Sequence, residues 1–136
     1  MQTRYIKVKT KGDNDIVNIT GDLSRIVEKE GVKEGVIFLS LIGSTAALTT
    51  MEYEPGLEKD LKESFEHLLP YRQDYAHNST WSDDNGHSHL RSSWLKTNFF
   101  VSVTGGKVDL GTWQQVVLVD FDTRPRERTV VVKIIS

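Results

Sequence analysis

Seven almost wholly apolar residues, Val36-Ile-Phe-Leu-Ser-Leu-Ile42, stand between Gly35 and Gly43. A strand that is apolar at successive positions has no face to offer to water, so it demands cover on both sides and a central place in a layered fold. Even counted from glycine to glycine the run is far shorter than the ~20 residues needed to cross a bilayer. The N-terminus, Met1-Gln2-Thr3-Arg4-Tyr5-Ile6-Lys7, carries no apolar segment of a secretory signal, and a cytoplasmic address is the expectation. A chain of 136 residues is expected to form one domain over residues 1–136 and to bury a core without staples. Cysteine is absent, which removes disulfides, thiolate ligands and thiol nucleophiles together. With 17 Lys and Arg against 19 Asp and Glu the formal charge is −2. No global positive field is available to hold nucleic acid or an anionic membrane, and neither is expected as a partner.

Several further elements are legible around the central strand. Ile6 and Val8 alternate with lysines, the turn residues Lys11-Gly12-Asp13-Asn14-Asp15 follow, and Ile16 to Ile19 reads as a returning strand, so a hairpin is expected at the start. Thr20 or Asp22 can cap a short helix with Leu23, Ile26 and Val27 on one face and Gly31 as its stop. Pro55 suits a first helical turn, and Leu57, Leu61, Phe65 and Leu68 recur at spacings of three and four until Pro70. His67 lies at or beyond the border of that stripe and reads as structural. Beyond Asn98 the pattern becomes strands over Phe99–Val103, Val108–Leu110, Val116–Phe121 and Thr129–Ile135, with Gly105-Gly106 marking a hairpin. The class is therefore α+β, mostly antiparallel sheet with about two to three helices.

Chemistry concentrates in the polar stretch 75–89, which holds His77, His87 and His89. Neutral imidazoles bind divalent cations and also move protons near neutral pH. In an extended segment His87 and His89 share a face, whereas in a helix they diverge by about 200°. Leu90, Trp94 and Leu95 have helical spacing, with Asp84 or Asn85 as caps, which puts His87 with Arg91 on one face and His89 with Ser92 and Ser93 on another. The N-terminal amides of such a helix attract phosphate, and Arg91 would add a bidentate partner. A zinc ion would take His77, His87 and His89, with Glu52 as a further donor, if the fold converges them. Ser44 to Thr50 places small hydroxyl residues just beyond the central strand, and Gly111-Thr112-Trp113-Gln114-Gln115 sets an indole where it can wall a pocket for a flat ring. Arg124, Arg126 and Arg128, beside Pro125, read as solvated surface.

Three of these passages in order, Ser-Thr-Ala-Ala-Leu-Thr at 44–49, His-Ser-His-Leu-Arg-Ser-Ser at 87–93 and Leu-Gly-Thr-Trp-Gln-Gln at 110–115, resemble the YjbQ family, also known as the secondary thiamine-phosphate synthase family. The resemblance extends over nearly the whole chain. It implies a compact α+β fold assembled as a homotrimer, with the site beside subunit contacts. It also implies a transferase joining a pyrimidine diphosphate to a thiazole phosphate. On that reading His77, His89 and Glu52 are catalytic, Arg91, Ser93, Thr112, Trp113 and Gln114 bind substrate, and His77, His87 and His89 hold a divalent metal, zinc or magnesium. Gly43 and Met51 stand where the pattern has a histidine and an asparagine, so two polar groups of the family are absent. The alternative is a non-catalytic oligomer that binds a divalent metal or a small phosphorylated metabolite.

Overall fold

The chain forms eight strands and four helices in a computed structural model that describes residues 1–136. In order these are β1 (Gln2–Thr10), β2 (Asp15–Asn18), α1 (Thr20–Lys29), β3 (Gly35–Ile42), β4 (Ala46–Glu52), α2 (Pro55–Leu68), α3 (Ala76–Trp81), α4 (Gly86–Leu95), β5 (Asn98–Thr104), β6 (Lys107–Val108), β7 (Gln114–Asp120) and β8 (Arg126–Ile135). Five strands pair antiparallel in the order β1-β8-β3-β5-β6, and three in the order β2-β7-β4. The result is α+β, with four helices where two to three are expected. The extra one is α3, too short to carry an apolar stripe.

Period-two patterning assigns each side of β7 to a different layer. Val116 and Leu118 join the core between the two sheets, with Ile37, Leu39 and Leu41 of β3 and Val130, Val132 and Ile134 of β8. Val117 and Val119 face the other way and meet Phe65 of α2, with Leu57, Leu61 and Leu95 packed alongside. Phe65 and Phe121 touch edge to face at 4.9 Å between centroids, which ties the helical layer to the small sheet. Helix α1 adds Leu23 and Val27 to the inter-sheet core. The layers are thus large sheet, small sheet and helices.

Two expectations about strands are corrected. The opening residues form no hairpin, because β1 pairs with β8 and β2 pairs with β7 in the other sheet. The connecting turn takes positive φ at Gly12, Asp13 and Asn14. A Cβ on Gly12 would lie 2.6 Å from the Arg124 carbonyl oxygen, so only glycine lets the chain cross between sheets there. The hairpin at Gly105-Gly106 does form, with φ of 57° and 81° at its centre. Strand β3 is central, but only one of its faces is covered: Ile37, Leu39 and Leu41 are buried, while Ile42 is 59% exposed. Across the same uncovered face the register aligns Tyr5 with Val131 and Phe38 with Phe100.

The third correction concerns Arg128, which is buried and not solvated. Inward positions of β8 alternate as 128, 130, 132 and 134, so the arginine takes a core slot at the end of the sandwich. Its guanidinium grips Asp120 through two bonds of 2.7 and 2.8 Å and donates to the Thr45 hydroxyl at 2.6 Å. Thr45 in turn donates to Asp122 at 2.9 Å, and Thr10 donates to Asp120 at 2.6 Å. Burial alone would raise the Asp122 carboxyl, but the Thr45 hydroxyl and Arg126 together hold it below the usual carboxylate value. This network fastens the ends of β1, β7 and β8 to the bend at Gly43 to Thr45.

Candidate functional site

Helices α3 and α4 form a tight corner on that same end of the sandwich. Ser82 takes a left-handed conformation, φ 53°, and ends α3 after six residues. The Asn78 side-chain oxygen accepts the Gly86 N–H at 2.8 Å, which closes the turn. A Cβ on Gly86 would meet the Tyr75 Cβ at 2.6 Å, so glycine permits the approach of the two helices. The corner brings the rings of His77 and His89 to 4.3 Å between centroids, inclined at 42°. Asp83 Oδ1 stands 3.3 Å from His77 Nδ1, an ion-pair contact when the ring is charged. That nitrogen is buried without a directed hydrogen-bond partner.

Burial, then the neighbouring His77, lowers the His89 pKa from its ordinary 6.5, against the opposing pull of Asp83 and the Ser44 carbonyl. Charge on the His89 ring is thus disfavoured where it stands, unless an anion offsets it. An arriving anion shifts that balance towards protonation. His89 can therefore meet an anionic group with a proton. Beside it lies a polar cleft of about 480 Å³ lined by Gly43, Ser44, His89, Ser92, Ser93, Lys96, Thr97 and Asn98. Ser93 sits on its wall and donates its hydroxyl to the His89 carbonyl at 2.9 Å.

The remaining expected site residues lie elsewhere. His87 turns away from His89 by the helical angle, is buried, and packs edge to face on Tyr71 at 4.3 Å. Desolvation, with Arg91 nearby, lowers its pKa to about 4, so it is a neutral core imidazole. Arg91 is buried beneath the same face and committed there by four bonds: it donates to the Leu69 carbonyl at 2.8 and 3.0 Å, to Asn14 at 2.8 Å and to Glu66 at 3.0 Å. It braces α2 against α4 and does not line the cleft.

Glu52, Thr112, Trp113 and Gln114 gather at the opposite end of the small sheet. The β4–β7 register pairs Ala46 with Asp120 at the histidine end and Glu52 with Gln114 at the other. Six residues of strand separate the two ends by roughly 20 Å. Gly111 to Gln114 forms a turn closed by a 3.0 Å bond, in which the indole of Trp113 is 72% exposed. Gln114 donates to the Thr50 hydroxyl at 3.1 Å and lines a separate hollow of about 540 Å³ between α1 and β6. Within one chain a zinc site does not fit, because His87 is turned inward, Glu52 is distant, and no three acidic or imidazole groups converge.

Asp83 and Lys96 join the histidine end without having been singled out by the sequence. Asp83 lies inside the polar stretch and is distinguished from Asp84 only by the turn. Lys96 follows α4 as an ordinary charged residue, and only its backbone marks it.

A family model described as "UPF0047 protein YjbQ-like" matches residues 4–136. A UPF0047 protein of Archaeoglobus fulgidus is 36% identical over 128 residues, covering 94% of this chain and 97% of its own. The UPF0047 protein YugU of Bacillus subtilis is 26% identical over 98% of both chains. Among solved structures, a hypothetical protein of Aeropyrum pernix superposes with a TM-score of 0.93 at 30% identity, covering 100% of this chain and 99% of its own. A Sulfolobus solfataricus protein, described as YbjQ-like and of unknown function, gives 0.89 at 31% identity over 99% and 98%. The family model, the shared fold and near-complete mutual coverage agree, and the chain belongs to the YjbQ-like UPF0047 family.

Proposed function

We propose that the protein is an enzyme acting on a small phosphorylated heterocycle, at a site shared between copies of the chain. The condensation of a pyrimidine diphosphate with a thiazole phosphate is the reaction to test. The observation that carries this reading is the His77–His89 pair, 4.3 Å between rings, on the edge of a cleft of hydroxyls and one ammonium. In such a condensation the carbon–oxygen bond to the diphosphate breaks while the thiazole nitrogen bonds to that carbon, and the departing oxygen keeps the electron pair. Charge builds on the diphosphate, and stabilising it is the demanding step. The imidazole pair, protonated as the anion binds, faces that charge, and Ser93 and Ser44 supply hydroxyls.

The family resemblance assigns the wall of the bound ring to Trp113, which one chain places about 20 Å away. A second copy offers its own Trp113 end, and the uncovered sheet face supplies a reason for copies to associate. Tyr5, Ile42, Phe100 and Ile135 are 63%, 59%, 68% and 53% exposed on it. On the family resemblance we take the number of copies as three, to be checked by mass in solution. A divalent cation would likewise require donors from a neighbouring copy.

His89→Ala is expected to lower turnover of the pyrimidine and thiazole pair by about 10²–10⁴-fold while the fold, checked by circular dichroism, is retained. Undiminished turnover removes His89 from the mechanism. The second reading, a binder without catalysis, is favoured by Gly43, which puts no side chain into the cleft. Calorimetry showing tight binding of the phosphorylated ligands without any product supports it.

A further inference from the structure

Lys96, immediately after α4, has φ 77° and ψ 160°. That region of backbone space is populated essentially by glycine, because a Cβ there crowds its own peptide groups. The fold imposes the conformation through three bonds: Lys96 N–H donates to the Ser92 carbonyl at 2.8 Å, Leu48 N–H donates to the Lys96 carbonyl at 3.1 Å, and Leu41 N–H donates to the Thr97 carbonyl at 2.8 Å. These bonds stitch α4 to β4 and β3. All three are made by main-chain atoms, so glycine at this position would keep them and lose the strain. The backbone thus explains the conformation but not the lysine.

The side chain lines the cleft with His89, Ser44 and Ser93. Its ammonium takes part in none of the ion pairs of the chain. The one arginine of α4 is committed to Leu69, Asn14 and Glu66, which leaves Lys96 as the cation lining the cleft. We infer that Lys96 is the anion anchor of the site, placed to bind the diphosphate group of the substrate in the cleft that His89 also lines, and that the strained backbone holds its stem at the cleft wall. This inference rests on the phosphorylated-substrate reading above and identifies the group that recognises the diphosphate.

The test is calorimetric titration of inorganic pyrophosphate into the full-length protein and into Lys96→Gly and Lys96→Gln, together with thermal unfolding of each. Loss of a charge-assisted contact is expected to weaken pyrophosphate binding about tenfold or more in both variants. Lys96→Gly is also expected to raise Tm by several degrees, about 3–8 °C, as the strain is released, whereas Lys96→Gln keeps it. Tighter folding combined with weaker binding is the signature of a residue kept for a ligand. Equal pyrophosphate affinity in all three proteins, or no binding by the unaltered protein, overturns the anchor. Lys96-dependent binding without turnover of the pyrimidine and thiazole pair leaves the anchor standing and removes the catalytic reading.

Discussion

His87 and His89 are two residues apart, and α4 gives them opposite fates. One is a buried, neutral imidazole against Tyr71, and the other borders a cleft beside His77. The folded-state pKa of His87, about 4 against an ordinary 6.5, fixes a sign. The unfolded chain binds this proton more readily, so the stability that the neutral ring contributes is complete above pH 6.5 and is lost as pH falls from there towards 4. The loss is at most about 3 kcal/mol. Urea midpoints measured from pH 7 to pH 4 are expected to fall, and more gently in His87→Leu; parallel curves for the two proteins contradict the assignment. Gly86→Ala tests the corner that holds the pair together. Its Cβ meets Tyr75 at 2.6 Å, so a destabilisation of about 1–3 kcal/mol is expected. NMR titration is also expected to show His89 moving back up towards an ordinary pKa as His77 withdraws. The helical divergence of His87 from His89 was readable from spacing alone. The commitment of Arg91 was not, because its acceptors at Asn14, Glu66 and the Leu69 carbonyl come from distant segments.

Elements whose apolar residues recur with a clear period were readable with nearly correct limits, as at α1, α2 and the Gly105-Gly106 hairpin. Strand β4 was not, because Ala46-Ala-Leu-Thr-Thr-Met-Glu52 is rich in small residues and its partner, β7, lies far along the chain. Pairing also misled at the N-terminus, where turn residues between two strand patterns imply a hairpin and the chain instead changes sheets. The arginine run at 124–128 hid one residue in a core position, since period two along β8 sends Arg128 inward while its neighbours stay nearer solvent. Arg128→Met is expected to cost about 3–5 kcal/mol, because Asp120 and Asp122, 0% and 1% exposed, would lose the cation between them. Chemical denaturation reads this directly, and a loss below ~1 kcal/mol would show that Arg126 alone compensates both carboxylates.

For the whole molecule, the same apolar run that demanded a central strand leaves a surface unexplained by one chain. Val36–Ile42 is almost wholly apolar, yet the outer face of β3 lies bare beside Phe100 and Ile135. Association of copies, as proposed above, would meet this demand. The proposed shared site requires that association to bring the Trp113 end of one copy to the histidine end of another. The family and its α+β class were legible in the sequence, whereas the division of the motifs between two ends of a sheet follows only from strand register. Complementation tests that division most directly. His89→Ala and Trp113→Ala are each expected to be inactive, and a mixture of the two, unfolded and reassembled in equal amounts, is expected to recover about a quarter of the unaltered turnover, since one intact donor of each kind meets at that fraction of random interfaces. A mixture as inactive as its two components would contradict a site shared between copies.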